Sequence, residues 1–280
     1  GGATYDNPFV TAVDGLDANH LKLSDICLGI DSIRYCNPVM SARLRYGRMK
    51  EKSGLQIAQC TVPVDMDSLH LTVPSLTLRT PFSHIEGAVQ MDLNVLDSLH
   101  PGRMDVRVLA SLGREDILPF CQALPAAFHR AYPYQPLMLQ AEAAGNMKHL
   151  LIRQAQAELP TAFRAKLSGD VFSLDDLARL RAHLSFDAAT QHLPFVTALL
   201  PADMACTYHI PYGLTLRGTA DADGPQYSTR CALTEGKGRV QLYANANIRS
   251  LTYQAQADIQ QLNVHHFMPR DSIYTVSAHA

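Results

Sequence analysis

The stretch Val240-Gln241-Leu242-Tyr243-Ala244-Asn245-Ala246-Asn247-Ile248 decides the fold. Its even positions are apolar and its odd positions carry amides or a phenol. A period of two is the signature of a strand with one apolar and one wet face. The next stretch repeats the pattern: Leu251, Tyr253, Ala255, Ala257 and Ile259 interleave with Thr252, Gln254, Gln256 and Asp258. Far upstream, Val89, Met91, Leu93 and Val95 interleave with Gln90, Asp92 and Asn94. From Ala88 onward the chain keeps this alternation almost unbroken. It therefore predicts a succession of one-sided strands, with few helices to cover their apolar side.

The punctuation fits an antiparallel meander. Strands are expected near Leu137–Ala143, Leu150–Leu159, Phe163–Val171 and Leu180–Ala188, then near Leu214–Ala222, Tyr227–Leu233, Val240–Ile248 and Leu251–Ile259. Gly145-Asn146, Gly169-Asp170, Asp223-Gly224-Pro225 and Gly236-Lys237-Gly238 supply turn residues. Three short amphipathic segments interrupt the strands: Glu115–Tyr132, split by Pro125 into two short helices, Leu193–Pro201 and Leu262–Pro269. Their landmark residues Phe120, Phe195 and Phe267 recur at intervals of about 75 residues, which makes residues 86–280 a repeat of four strands and one short helix.

Residues 1–85 carry the same kind of strand with a slipping phase. Leu21 and Leu23 lie in one phase, Ile26, Leu28 and Ile30 in the other. Leu71 and Val73 change phase to Leu76 and Leu78 around Pro74. One-residue shifts of this kind are β-bulges, and Pro inside a strand marks a bulge or an edge. In all, about seventeen strands are expected, with helix below about a fifth of residues.

Composition narrows the function. The 280 residues carry a net charge of -2 with 18% charged residues, and no basic cluster points to nucleic acid. No run of eighteen apolar residues is present, so no transmembrane helix is expected in this stretch. The chain opens Gly1-Gly2-Ala3 without Met and reads as a segment of a longer protein. Cys27, Cys36, Cys60, Cys121, Cys206 and Cys231 form no C-x-x-C pair and read as small buried hydrophobes rather than bridges.

A one-sided sheet can pack on a second sheet as a sandwich, close into a barrel, or stay open and bind something apolar. Three features favour the open sheet. The apolar positions are rich in Ala, which suits a smooth wall. The strands are long and keep phase across hairpins. The short helical segments recur at one position per repeat, as though rimming the same sheet. The period-two phase assigns one face to Val89, Met91, Leu93 and Val95, with Met104, Val106 and Val108 on the following strand. It continues this face through Phe163 and Leu167, Leu214 and Leu216, Val240 and Leu242, and Leu251 and Ile259.

Four stretches also resemble elements of a known family. They are Lys50-Glu51-Lys52-Ser53-Gly54-Leu55, Leu78-Arg79-Thr80-Pro81-Phe82-Ser83-His84-Ile85, Leu167-Ser168-Gly169-Asp170-Val171 with Asp175-Asp176-Leu177, and Tyr253 through Ser272 ending Phe267-Met268-Pro269-Arg270-Asp271-Ser272. In order and spacing they are similar to the TamB/AsmA-like family of Gram-negative envelope proteins, also called repeating β-groove lipid-transfer proteins. The likeness spans most of residues 15–275. Ile273-Tyr274-Thr275-Val276 departs from it where a Gly-rich strand start is expected.

The resemblance implies a mainly β fold, an elongated antiparallel meander curved into an open apolar trough. It implies that the apolar positions named above line a groove for phospholipid acyl chains, with Phe120, Phe195 and Phe267 on rim helices. The implied setting is a periplasmic bridge between inner and outer membranes, anchored by a segment outside this chain. Implied partners are phospholipid acyl chains, neighbouring repeats that pair with the edge strands, and a barrel of the outer-membrane assembly machinery. No cofactor, metal or nucleic acid is implied.

No catalytic constellation stands out. The twelve His show no H-x-x-x-H or H-E-x-x-H spacing, and His265-His266 point to opposite faces if extended. Asp175-Asp176 and Glu115-Asp116 precede apolar turns, where helix N-terminal carboxylates belong. Gly236-Lys237-Gly238 is a hairpin turn without phosphate-loop spacing, and no G-x-S-x-G occurs. The chain is thus expected to be no enzyme. The rival reading is an adhesion or scaffold protein of the cell surface built from tandem β-sandwiches.

Overall fold

The computed structural model describes residues 1–11, 17, 19–37, 39–97, 99–205, 207–270 and 274–279. Cys206, Asp271, Ser272 and Ile273 lie outside the described residues. Among the described residues the chain is mainly β, 60% strand and 9% helix, and its strands follow one another as an open antiparallel meander. It forms two compact units: residues Gly1–Leu124 with Tyr134–Gln140, and residues Pro125–Pro133 with Ala141–Ala280. The change of pattern at residue 85 falls inside the first unit. The bulged strands before it pair in the same unit as the regular strands after it.

The first unit contains β1 (Ala3–Asp6), β2 (His20–Cys36), β3 (Val39–Glu51), β4 (Gln56–Ile57), β5 (Gln59–Met66), β6 (His70–Arg79), β7 (His84–Asp92) and β8 (Met104–Leu112). Each pairs antiparallel with its predecessor, except that β4 and β5 both pair with β3. The expected phase slips are register shifts: between Ser24 and Cys27, where Asp25 has φ of 54°, and between Val73 and Leu76 beside Pro74. Helix α1 (Arg114–Ile117) and a 3-10 turn (Leu118–Cys121) follow β8.

The second unit opens with α2 (Ala126–Ala131). Strand β9 (Leu137–Gly145) contributes Ala141 onward and pairs with β10 (His149–Leu159). Then follow β11 (Phe163–Phe172), β12 (Arg181–Thr190), α3 (Pro194–Thr197), α4 (Ala202–Ala205), β13 (Thr215–Asp223), β14 (Gln226–Glu235), β15 (Gly238–Asn247), β16 (Thr252–Asn263), a 3-10 turn (Val264–His266) and β17 (Thr275–His279). Strands β10 to β17 pair in sequence order. Turn residues set the hairpins: Asn146 Oδ1 accepts from the amides of Lys148 and His149, and Gly224 and Gly236 adopt φ of 55° and 56°.

Three expectations need correction. Strand β7 ends at Asp92, so Leu93 and Val95 lie in a turn. Asp92 Oδ2 accepts from the Arg103 amide, Asn94 Nδ2 donates to the His100 carbonyl, and Asp97 Oδ1 accepts from the Leu99 and His100 amides. These side chains satisfy the backbone locally and displace the ladder. Leu251 also sits in a turn, with φ of 53°, because Asn247 Oδ1 accepts from the Arg249 and Ser250 amides and ends β15. The third helical segment is only the 3-10 turn, since Leu262 and Asn263 extend β16 to pair with Val276 and Thr275.

Candidate functional site

In an antiparallel ladder, directly paired residues project to the same side. In the second unit this places Leu167, Phe186, Gly218, Cys231, Leu242 and Ala257 in one row across β11 to β16. A neighbouring row runs Ala165, Ala188, Leu216, Leu233, Val240, Ile259 and Ala278. Another runs Gly169, Leu184, Ala220, Thr229, Ala244 and Ala255, and a fourth Val171, Ala182, Ala222, Tyr227, Ala246 and Tyr253. One face of this unit is therefore apolar over six strands. Of these residues only Val171 is buried; the rest are half-exposed or exposed. Within this unit no second sheet lies over the face among the described residues.

Gly169 shows why the wall is smooth. Its φ is 144°, and a β-carbon built there would stand 2.0 Å from the His183 carbonyl oxygen of the adjoining strand. Only a residue without a side chain fits, which leaves a flat floor between Leu167 and Val171.

The first unit repeats the arrangement. Tyr35, Met40, Met66, Leu71, Met91 and Met104 form one row across β2 to β8. Val73, Val89 and Val106 form a second, Leu76, Gly87 and Val108 a third, and Cys60, Leu78, Ile85 and Ala110 a fourth. Among these only Ala110 is buried.

The opposite faces are polar and dense in charge pairs. His149 Nε2 lies 2.6 Å from Asp170 Oδ1, His183 Nδ1 2.5 Å from Asp221 Oδ1, and Arg217 Nε 2.5 Å from Asp187 Oδ2. Lys148 reaches Asp175 at 2.6 Å, which explains the acidic pair there, and this ammonium holds the Asp175 carboxyl below its usual range. His149 and His183 thus each pair with one carboxylate, whereas His20 lies between Asp6 and Asp17 and His70 between Asp67 and Asp92. No group of three His, Cys, Asp or Glu is placed for a metal among the described residues. His265 and His266 occupy the 3-10 turn rather than a strand; His266 Nδ1 meets the buried Glu235 at 2.6 Å, and His265 lies against the Tyr274 ring.

One rim of the second unit is closed by aromatic packing. Phe128 and Tyr132 of the α2 segment pack edge-on against Phe195 of α3, with ring centroids 5.9 and 5.4 Å away, and all three are buried. Leu159, 1% exposed, and Ala162 are buried at the turn between β10 and β11; the Gln191 amide donates to the Ala162 carbonyl just before α3. Phe195 is thus packed against the α2 segment, and Phe267 is half-buried where the His209 amide donates to its carbonyl. Phe120 belongs to the first unit and is 62% exposed; Phe128 takes the packed position instead.

Comparison with protein families, curated proteins and solved structures returns no match. What the chain offers is its own geometry.

Of the fifteen sequence-assigned lining positions, Val89, Met91, Met104, Val106 and Val108 share the apolar face of the first unit. Phe163, Leu167, Leu216, Val240, Leu242 and Ile259 share that of the second. Leu214 lies one residue before β13, its carbonyl accepting from the Thr190 amide. Leu93, Val95 and Leu251 are turn residues. Two stretches that resembled family elements prove to be turn locks. Glu51 is buried and accepts from the Ser53 amide at 2.6 Å and the Lys22 amide at 3.3 Å, while Gly54 turns with φ of 98°. Burial pushes the Glu51 carboxyl up, but the Ser53 side chain and amide and the Lys22 and Lys52 amides outweigh it and hold it below the usual range. In the second stretch the Thr80 and Ser83 hydroxyls both donate to Asp116 Oδ2. Sequence reading missed the Met40–Met66–Leu71 part of the first unit's row, because the register shifts between Thr61 and Asp65 and between Val73 and Leu76 hide a common face behind broken phase.

Proposed function

We propose that the apolar faces are the lining of a conduit for phospholipid acyl chains, in a chain that acts without catalysis as part of a periplasmic bridge between inner and outer membranes. The observation that supports this is the half-exposed apolar row Leu167–Phe186–Gly218–Cys231–Leu242–Ala257, with no second layer of its unit over it among the described residues. A face of this width is costly to leave in water, and an acyl chain laid on it gains about 0.8 kcal/mol per methylene removed from water. Because the wall offers Ala, Leu, Val and Gly and almost no hydrogen-bonding group, it binds without a deep local minimum, so a chain can slide along it. The resemblance of Glu51-Lys52-Ser53-Gly54 and Leu78-Arg79-Thr80-Pro81 to TamB/AsmA-like elements supports the envelope setting, and with it a link to outer-membrane protein assembly through a barrel partner. In that reading the first and last strands, β1 and β17, pair with further repeats.

The rival reading needs sandwich domains. Each needs a second sheet over the apolar face, and within either unit none is present among the described residues. The test is native mass spectrometry with lipid extraction from the purified chain. Phospholipid retained in stoichiometric amount supports the conduit; a lipid-free protein that gains none on incubation with phospholipid rejects it.

A further inference from the structure

The hairpin between β15 and β16 is built at odds with its own fold. Leu251 takes φ of 53°, a left-handed conformation that suits Gly or Asn and strains a Leu. It gains nothing from burial in exchange, being 83% exposed. Ile248 in the same tip is 60% exposed and Tyr253, at the start of β16, 84% exposed. Arg249 stands exposed between the two aliphatic side chains. An outlier of this kind, apolar and solvent-facing, points to a surface outside the chain.

The tip is also prepared to leave water. The Ile248 amide donates to the Pro225 carbonyl at 2.9 Å, the Arg249 and Ser250 amides to Asn247 Oδ1 at 2.9 and 3.0 Å, and the Ser250 and Thr252 hydroxyls bond each other at 2.9 Å. Three of its amides and two hydroxyls are thus satisfied from within, which a low-dielectric interface favours. Aliphatic tips, a phenol behind them and one guanidinium between them match the chemistry of the bilayer interface: apolar groups among acyl chains, Tyr at headgroup level, Arg on phosphate. The tip lies at the rim opposite the Phe128–Tyr132–Phe195 cluster, and Tyr253 joins it to the row Ala246, Tyr227 and Ala222 of the apolar face. The first unit exposes Leu96 and Leu99 as well, but Asp92 and Asp97 flank them and no basic residue stands between.

We propose that the β15–β16 hairpin tip, Ile248, Arg249 and Leu251 with Tyr253, docks on a phospholipid bilayer surface. The docking stands on the tip's own geometry and goes beyond the conduit reading, giving its apolar face a point of contact with a membrane. The experiment is flotation of the purified chain with vesicles of phosphatidylcholine alone and of phosphatidylcholine with phosphatidylglycerol. The chain is expected to float with both. Leu251→Asn, which suits the left-handed backbone and so keeps the fold by circular dichroism, is expected to lower the partition coefficient by at least about tenfold. Arg249→Gln is expected to lower it by about fivefold on the anionic vesicles only. Leu96→Asn is expected to change nothing. A chain that does not float, or a folded Leu251→Asn protein that floats like the parent, overturns the proposal. So does loss of flotation in Leu96→Asn with none in Leu251→Asn. Lipid capture at Leu242 without flotation overturns the docking and leaves the conduit standing; flotation without lipid capture at Leu242 does the reverse.

Discussion

Leu242→Glu separates an open face from a core. Leu242 sits mid-row between Cys231 and Ala257, half-exposed, with no layer of its unit above it among the described residues. A carboxylate there can lean off the sheet into water. The cost to the fold is then the part of the Leu side chain that packs on its row neighbours, about 1 kcal/mol, and the melting temperature falls by about 2–4 °C. In a sandwich core the same carboxylate would be dry and unpaired, and the loss would reach several kcal/mol, enough to unfold a domain of ordinary stability. For the lipid the order reverses. An acyl chain lying along the row must pass a dehydrated charge or detour around it, at several kcal/mol, so phospholipid retention drops by more than about tenfold. The assay pairs thermal unfolding with quantified lipid extraction on the same preparation. Gross unfolding, or a small thermal shift with unchanged lipid content, would refute the reasoning.

Three more outcomes follow from single residues. Gly169→Val places a β-carbon against the His183 carbonyl and forces a β-branched residue to positive φ, so it destabilises by at least about 2 kcal/mol in denaturant unfolding; an unchanged midpoint would show that the floor tolerates side chains. The Glu51 carboxyl, held below its usual range, adds stability that is full above the unfolded value near 4.5 and is lost as pH falls through the lower folded value; Glu51→Gln loses about 1–3 kcal/mol at neutral pH and flattens the acid limb of the stability profile, and a parallel acid limb in both proteins would count against the turn lock. In a Cys206→Ser background, exposed Cys36 is expected to react fastest with a thiol reagent. Cys60 and Cys231, whose thiols burial pushes up, react more slowly, and phospholipid slows Cys231 further but not Cys36; equal, lipid-insensitive rates would contradict the shielded row.

The sequence disclosed the second unit best because its strands are regular there. The alternation of Val240 through Asn247 runs in the ladder without a register shift, as does Tyr227 through Leu233, and Phe163 through Val171 does so against β12, its shift lying on the β10 side. Period-two phase is then enough to assign faces, and Phe163, Leu167, Leu216, Val240, Leu242 and Ile259 fall as read. It fails where side chains take over backbone hydrogen bonds. Asn94 and Asp97 convert Leu93 and Val95 to turn residues, and Asn247 does the same for Leu251, although all three keep the alternating pattern. Helices of four to six residues are set by tertiary packing rather than propensity, which is why Phe120 rather than Phe128 stood out from spacing while Phe128 makes the contact with Phe195. In the first unit the shifts at Ser24–Cys27 and Val73–Leu76 were legible as bulges, but which residues they realign could be read only from the pairing of Leu71 with Met91 and Leu76 with Gly87.

The central claim, that acyl chains lie on one face of these sheets and not the other, is tested most directly by photo-crosslinking at adjacent positions of one strand. Leu242 and Gln241 are consecutive in β15, the first in the apolar row with Cys231 and Ala257, the second paired with Ala232 and Asp258 on the polar side. Val89 and Gln90 form the corresponding pair in β7. A photoreactive side chain at Leu242 or Val89 is predicted to capture phospholipid, and one at Gln241 or Gln90 to capture none. Equal capture at both members of either pair, or none at Leu242 and Val89, would contradict the account.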